Sequence, residues 1–450
     1  MAGRRIPSLI QGQASGAGNG SLVVACPMCR YAVRQPNRAI DSGDRILVLK
    51  YIYEFTEPRR WDVVVFKNPK NPQENYIKRL VGKAGEWLWV LRGNVYTRPT
   101  DSDPWRIERK PADVQRAVWQ PIYHSDYAPR DGGDGSQRDL DHMWSVPWQR
   151  DDQAHWQYEH DMRCYRFDGS TAQARLDFDF ANQHGSADYY PYNSFDGRST
   201  QRRWQYIVDE LRIAATFTPQ QEGLTATLNL TTADRRFTAV VRPDGSAELR
   251  AGLINADAPG EQTLTAPAGT VTWQVDRGVR LDLWHVDQSV SLWADGKLVC
   301  QATYNDELSD DAMRAMRDSS IEQVPQVSIE VAGAAVTLSQ VDMDRDLYYT
   351  PQDDRLPIAT VEPVYLAADR FFCMGDNSPQ SEDSRLWQTV DPWISYHCSD
   401  GDDPLPRGMV PRKLLIGKAF FVYWPSAYRL KSDSTFIGVV PNFGQMRVIK

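Results

Sequence analysis

Apolar and polar positions alternate with a period of two over many short runs of this chain, and turn residues (Gly, Pro, Asn, Asp) separate the runs, which predicts strands far more than helices. From Gly43-Asp44 onward the pattern predicts a strand at Arg45 to Tyr51, then strands at Trp61 to Phe66 and Asn75 to Gly82. Trp87 to Leu91 and Asn94 to Tyr96 flank Arg92-Gly93 as a hairpin. Residues 97–160 change character: prolines, tryptophans and Asp131-Gly132-Gly133-Asp134-Gly135 predict a long loop or linker.

Alternation returns from about residue 161 to residue 348. Leu224 to Leu230, Phe237 to Val241 and Ala247 to Arg250 surround a Pro243-Asp244-Gly245 turn, and Val279 to Trp284 pairs with Ser289 to Trp293 before turning at Asp295-Gly296. Strands at this regular spacing predict a β-sandwich, with one helix around Glu307 to Arg317. After a Pro-rich crossing at 351–363, strand character resumes at Arg370 to Met374 and ends with Ile416 to Trp424. The fold class is therefore mainly β: a β-domain interrupted by a jelly-roll-like β-sandwich insertion. The expected divisions are a flexible segment 1–36, the first part of the β-domain at 37–120, a linker at 121–160, the inserted sandwich at 161–348 and the second part of the β-domain at 360–450. Placing the sandwich as an insertion predicts that Lys78 and Ser381 lie close in space.

A length of 450 residues fits two or three domains, and 41% hydrophobic with 24% charged residues is the balance of a folded chain. The net charge of -8 gives no electrostatic basis for nucleic-acid binding. No run reaches the ~18 apolar residues of a membrane span. The longest candidate, Leu414 to Trp424, is short and holds Lys418, and Met1 to Pro7 lacks the apolar stretch of a signal peptide. The sequence as read thus offers no means of crossing a bilayer. Among six cysteines only Cys26-Pro27-Met28-Cys29 forms a close pair, which is half of a zinc ribbon. A redox or turn role is preferred for it, and no metal or cofactor is assigned.

The chemistry is concentrated in two stretches, Tyr76-Ile77-Lys78-Arg79 and Met374-Gly375-Asp376-Asn377-Ser378-Pro379-Gln380-Ser381-Glu382-Asp383-Ser384-Arg385. A lysine amine acts as a general base only when neutral, and its ordinary pKa of ~10.4 must fall by about three units, roughly 4 kcal/mol, for that to hold near neutral pH. Tyr76, Ile77, Leu80 and Val81 supply an apolar setting for Lys78. Alternation sends Tyr76 and Lys78 to one face of the sheet, and Ile77 and Arg79 to the other. Seven His are scattered outside these stretches, so a Ser-His-Asp triad has no support.

Five blocks in order resemble bacterial signal peptidase I: Gly43 to Lys50, Arg60 to Lys67, Tyr76 to Gly82, the stretch from Met374 to Asn377 with Ser381, Asp383, Ser384 and Arg385, and Gly417 to Phe421. The resemblance covers both flanks and leaves the middle unmatched. It implies a serine endopeptidase at the outer face of the cell membrane that contacts the lipid surface and removes signal peptides from exported preproteins after small residues. It further implies that Lys78 is the general base, that Ser381 orients its amine, that Asp383 and Arg385 form a supporting ion pair, and that Gly375, Asp376 and Asn377 shape the turn below the site. The middle region is similar to concanavalin-like or laminin-G-like domains in strand rhythm only.

The family's nucleophile lies in a Ser-Met-x-Pro-Thr-Leu block behind a membrane anchor. Its nearest counterpart is Arg4-Arg5-Ile6-Pro7-Ser8-Leu9, with Arg4 in the serine position and Ser8 in the threonine position. The nucleophile is thus unassigned, with Ser8, Ser15 and Ser21 as alternatives. Two functions stand side by side: an active signal peptidase, and an inactive relative that binds extended peptides or glycans at the cell envelope.

Overall fold

The computed structural model describes residues 21–25, 32–36, 43–128, 130, 146–150, 156–170, 172–180, 206–254, 264–265, 269–319, 321, 323–351, 357–399, 407–425, 428–429, 439–440 and 442–450. The chain is mainly β, and every strand pair described is antiparallel. The smaller β-domain is built on a sheet in which Val410–Pro411, Arg370–Met374, Asn75–Gly82, Val63–Lys67, Leu415–Trp424 and Arg45–Lys50 lie side by side. Strands from both ends of the sequence thus interleave. Glu86–Leu91 pairs with Asn94–Arg98 through the expected hairpin, and Arg92 (φ 48°) and Gly93 (φ 82°) both adopt the left-handed backbone that a tight two-residue turn demands. Val364–Leu366 and Arg106–Ile107 complete this second sheet.

Val64 and Phe66 enter the core from one strand, with Val65 between them buried as well; from the lysine strand Leu80 and Val81 also enter, meeting Phe371, Phe372, Met374 and Trp387 from the C-terminal half. Each such buried side chain contributes about 1.5–3 kcal/mol. The apolar contact therefore ties the two distant halves together before any polar site is considered.

Two eight-stranded sheets form the sandwich between them. One runs from Trp148–Arg150 through Gln173–Phe178, Gln326–Ala332, Thr225–Thr231, Arg235–Val241 and Ser246–Leu253; the other includes Trp156–Glu159, Cys164–Phe167, Val336–Arg345, Leu211–Pro219, Val279–Val286, Ser289–Ala294 and Lys297–Thr303. Leu176, Leu228, Phe237 and Ile329 of one sheet share a core with Phe167, Phe217, Leu281 and Met343 of the other. At the hairpin tip between Val279–Val286 and Ser289–Ala294, Asp287 and Gln288 have φ of 48° and 52°.

Three expectations need correction. Residues 121–160 are not a plain linker: Gln120–His124 pairs with Val336–Arg345, and Trp148–Arg150 and Trp156–Glu159 are sandwich strands, so the sandwich begins well before residue 161. These strands are short, and their partners, Trp156–Glu159's hairpin mate aside, lie roughly 30 to 220 residues away, so local pattern did not reveal them. Ser21–Ala25 pairs with Ala32–Pro36, which puts regular structure inside the segment read as flexible; Cys26 and Cys29 lie outside the described residues. The expected helix is present as Asp310–Asp318, capped by the Ser309 hydroxyl accepting from the Ala312 amide, but Ala112–Val118 and Pro392–Cys398 are helical too. Among the described residues no helix is long and apolar enough to cross a membrane.

Candidate active site

Lys78 and Ser381 meet. The Lys78 Nζ lies 2.9 Å from the Ser381 Oγ although 303 residues separate them. Lys78 comes from the central strand Asn75–Gly82, and Ser381 from the turn that follows Arg370–Met374, the strand hydrogen-bonded to it. The side-by-side pairing of these strands is what makes the contact.

The lysine is enclosed from several sides. Tyr76, on the same face, places its ring 5.2 Å from Nζ and packs against Trp387 with 6.1 Å between ring centroids. Gly375 closes another side: a Cβ there would stand 2.1 Å from Ser381 Oγ, 2.8 Å from Ser381 Cβ and 3.3 Å from Lys78 Nζ. Gly375→Ala is accordingly expected to push the lysine and serine apart and to lower thermal stability by about 1–3 kcal/mol, read from a denaturation midpoint.

Burial lowers the Lys78 pKa from the ordinary lysine value; the Asp383 carboxylate opposes this, and the Arg385 guanidinium reinforces it. The direction is the one a neutral amine needs. Glu382 and Asp376 also pull the pKa upward, so the lysine titrates as the balance of a dry setting and a mixed ring of charges.

Beneath the pair lies a fully buried ion pair. Arg385 donates from Nε to Asp383 Oδ1 at 2.9 Å and from Nη2 to Asp383 Oδ2 at 2.7 Å, and both side chains are 0% exposed. The Gly375 amide donates to Asp383 Oδ2 at 3.0 Å, so the carboxylate fixes the backbone that flanks the lysine. Burial alone would raise the Asp383 carboxyl, but Arg385 and the Gly375 amide outweigh it and hold it below the ordinary range. Arg385 also donates to the Thr350 carbonyl at 2.7 Å and to the Ser378 hydroxyl at 2.9 Å.

Asp376 does more than shape a turn: it accepts from Arg79 Nε at 2.9 Å and Nη2 at 2.8 Å, and Arg79 in turn donates to the carbonyls of Trp61 and Lys450. Asn377 stands just before the single helical turn Ser378–Gln380. Glu382 is exposed, as a turn residue, and pairs with Lys70, while the Tyr76 hydroxyl donates to it at 3.4 Å. Sequence reading missed the supports given by Ser378, Thr350 and Ser384, whose hydroxyl accepts from the Cys373 amide at 2.9 Å. Ser378 and Ser384 lie inside the quoted stretch, but a serine's partner is legible only in three dimensions. Arg4, Ser8 and Ser15 lie outside the described residues, and of Ser21 only the backbone strand is described.

Residues 22–125 and 311–424 match the family described as signal peptidase, peptidase S26. Signal peptidase I of Aquifex aeolicus (strain VF5) is 50% identical over 44 residues, 10% of this chain and 17% of that protein. Signal peptidase I of Leptolyngbya laminosa is 33% identical over 91 residues, 16% of this chain and 45% of that protein. Thylakoidal processing peptidase 1, chloroplastic, of Arabidopsis thaliana is 34% identical over 67 residues, 13% of this chain and 20% of that protein. The matched part spans less than half the length of each of these relatives. Among solved structures, the carbohydrate binding module CBM66 from Bacillus subtilis is similar with a TM-score of 0.25 at 12% identity, over 44% of this chain and 96% of that one.

Proposed function

We propose that this chain is a signal peptidase I-like serine endopeptidase that cleaves signal peptides from exported preproteins, with Lys78 as general base. The observation that carries the reading is the 2.9 Å contact between Lys78 Nζ and Ser381 Oγ, walled by Gly375 and Tyr76. In this mechanism a serine hydroxyl attacks the scissile carbonyl as Lys78 takes its proton; the same lysine then returns a proton to the leaving amine. Ser381 orients the amine by its hydrogen bond, and Asp383 with Arg385 holds the Gly375 backbone against it. The attacking serine is unassigned, with Ser8, Ser15 and Ser21 as its candidates. The substrate lies as an extended strand along an open sheet edge, with small pockets for Ala-like side chains.

A lipid surface is the second partner in this proposal. Leu47 and Leu49 on the outermost strand, Phe55 on the short helix that follows, and Val448 are 42%, 43%, 84% and 59% exposed, an apolar surface that suits an enzyme acting on membrane-bound substrates. The double variant Leu47→Glu with Phe55→Glu is expected to reduce co-flotation with phospholipid vesicles several-fold while leaving the fold intact.

The deciding experiment incubates the protein with a purified preprotein in detergent and sequences the new N-termini. Cleavage after a small residue, lost in Lys78→Ala, supports the peptidase; no product, or equal cleavage by that variant, rejects it and leaves a peptide- or glycan-binding relative.

A further inference from the structure

Where the sandwich meets the smaller β-domain, three carboxylates converge: oxygens of Glu210, Asp287 and Asp346 lie within 4.8 Å of one another. All three belong to the sandwich. Lys110, from the smaller domain, inserts its ammonium among them, 2.5 Å from Asp287 Oδ1 and 2.9 Å from Asp346 Oδ2, with side chains 4% exposed or less. The place a metal ion would take is therefore filled by the lysine. Two neutral side chains of the smaller domain complete the contact: Asn94 donates to Glu210 at 3.0 Å and Gln115 to Asp346 at 2.6 Å.

One ammonium faces three carboxyl groups. Fully ionised, the cluster would carry two negative charges in excess inside a buried junction, where no solvent shell is available to stabilise them. We propose that this cluster is a proton-operated latch, in which a proton held at Glu210 keeps the sandwich docked on the smaller β-domain and its loss as pH rises loosens the junction.

The surroundings favour Glu210 as the proton's seat. Burial, then Asp346 and Asp287, push its pKa well above the ordinary glutamate value, and Lys110 only partly opposes them. Lys110 itself stays charged: burial lowers its pKa, but Asp287, Asp346 and Glu210 more than reverse that. Further charged groups at the junction are Asp209, beside Glu210; Arg92, which stabilises the anionic forms of Asp209 and Tyr96; Arg345, which donates to the Asp346 carbonyl; and Arg109, which donates to the carbonyls of Asp287 and Gln288 and to the Asp306 carboxylate. Tyr96 accepts from Gln288 at 3.0 Å and is kept neutral by burial.

The sign follows from linkage. A carboxyl group whose folded pKa is raised binds its proton more tightly in the folded state, so stability is lost as pH climbs from the ordinary glutamate value to the folded one. The latch also reaches the candidate site. Asp346 lies four residues before Thr350, whose carbonyl holds Arg385, and Gln120 at the start of the strand Gln120–His124 donates to the Asp376 carbonyl at 3.3 Å.

The test compares wild type with Glu210→Gln, which keeps the shape and an acceptor for Asn94 without the titration, by thermal midpoint and hydrogen-exchange protection factors from pH 6 to pH 9. Wild type is expected to lose about 5 °C across this range, with protection at residues 94–98, 110–118 and 346–350 falling about tenfold. Glu210→Gln should lose less than half as much on both readouts. If Glu210→Gln does not fold, Asp346→Asn, which removes one of the competing charges and retains the Gln115 contact, answers the same question with the same expected flattening. Parallel pH curves for wild type and variant, or constant wild-type protection across the junction, would overturn the latch.

Discussion

Lys78→Ala is expected to cleave a preprotein about 10²–10⁴-fold more slowly than wild type, the usual contribution of a positioned general base, with thermal stability little changed. Stability is spared because the lysine makes its polar contact to a hydroxyl at the edge of the core, and alanine leaves the Asp383–Arg385 pair beneath it intact. Ser381→Ala should lose about tenfold, the worth of one orienting hydrogen bond. The wild-type rate should rise with pH as the amine loses its proton, and burial places that limb below the ordinary lysine value of ~10.4. Single-turnover cleavage measured from pH 6 to pH 10 checks the position of the limb. A limb at the ordinary lysine value would mean that the amine is solvated in solution, and the proposed base would fail.

Arg385→Ala carries the largest expected cost in stability. It leaves the Asp383 carboxylate buried with only the backbone amides of Gly375 and Arg385 as donors, and removes the guanidinium's hydrogen bonds to the Thr350 carbonyl and the Ser378 hydroxyl. Breaking a buried pair of this kind costs about 3–5 kcal/mol, or roughly 10 °C in thermal midpoint for a domain of this size. Arg385→Lys restores the charge without the two-point geometry and should recover only part of the loss. Acid unfolding gives a separate check. The depressed Asp383 pKa means that its contribution is present above the ordinary aspartate value of ~3.9 and disappears as pH falls through the folded value. The variant should therefore show a flatter stability profile below about pH 4 than wild type.

The parts of this molecule that were legible in the sequence are those written in local pattern. The strand carrying Lys78 and the hairpin turning at Arg92-Gly93 follow from period-two alternation and from turn chemistry. The meeting of Lys78 with Ser381 followed from treating the middle of the chain as an insertion. What escaped was sheet membership decided at long range: Trp148–Arg150 is three residues long and becomes a strand by pairing with Gln173–Phe178. The latch escaped for a related reason. Lys110, Glu210, Asp287 and Asp346 sit on separate stretches with no spacing in common, and each alone reads as an ordinary surface charge. Burial, which gives them their chemistry, is a property of the packed junction.

The pairing of Gln120–His124 with Val336–Arg345 joins the two points where the chain leaves and re-enters the smaller β-domain, and this bears on the order of folding. Bringing Lys78 to Ser381 in an unstructured chain means closing a loop of 303 residues. Once the sandwich has formed and clamped its own ends together, the remaining loop is about 80 residues, which lowers the closure entropy by roughly 1 kcal/mol. During synthesis at about 5–20 residues per second, the lysine strand waits on the order of 15–60 s for the strand Arg370–Met374 to emerge. A sandwich that folds within that interval serves as a brace for the strand pairing that assembles the site.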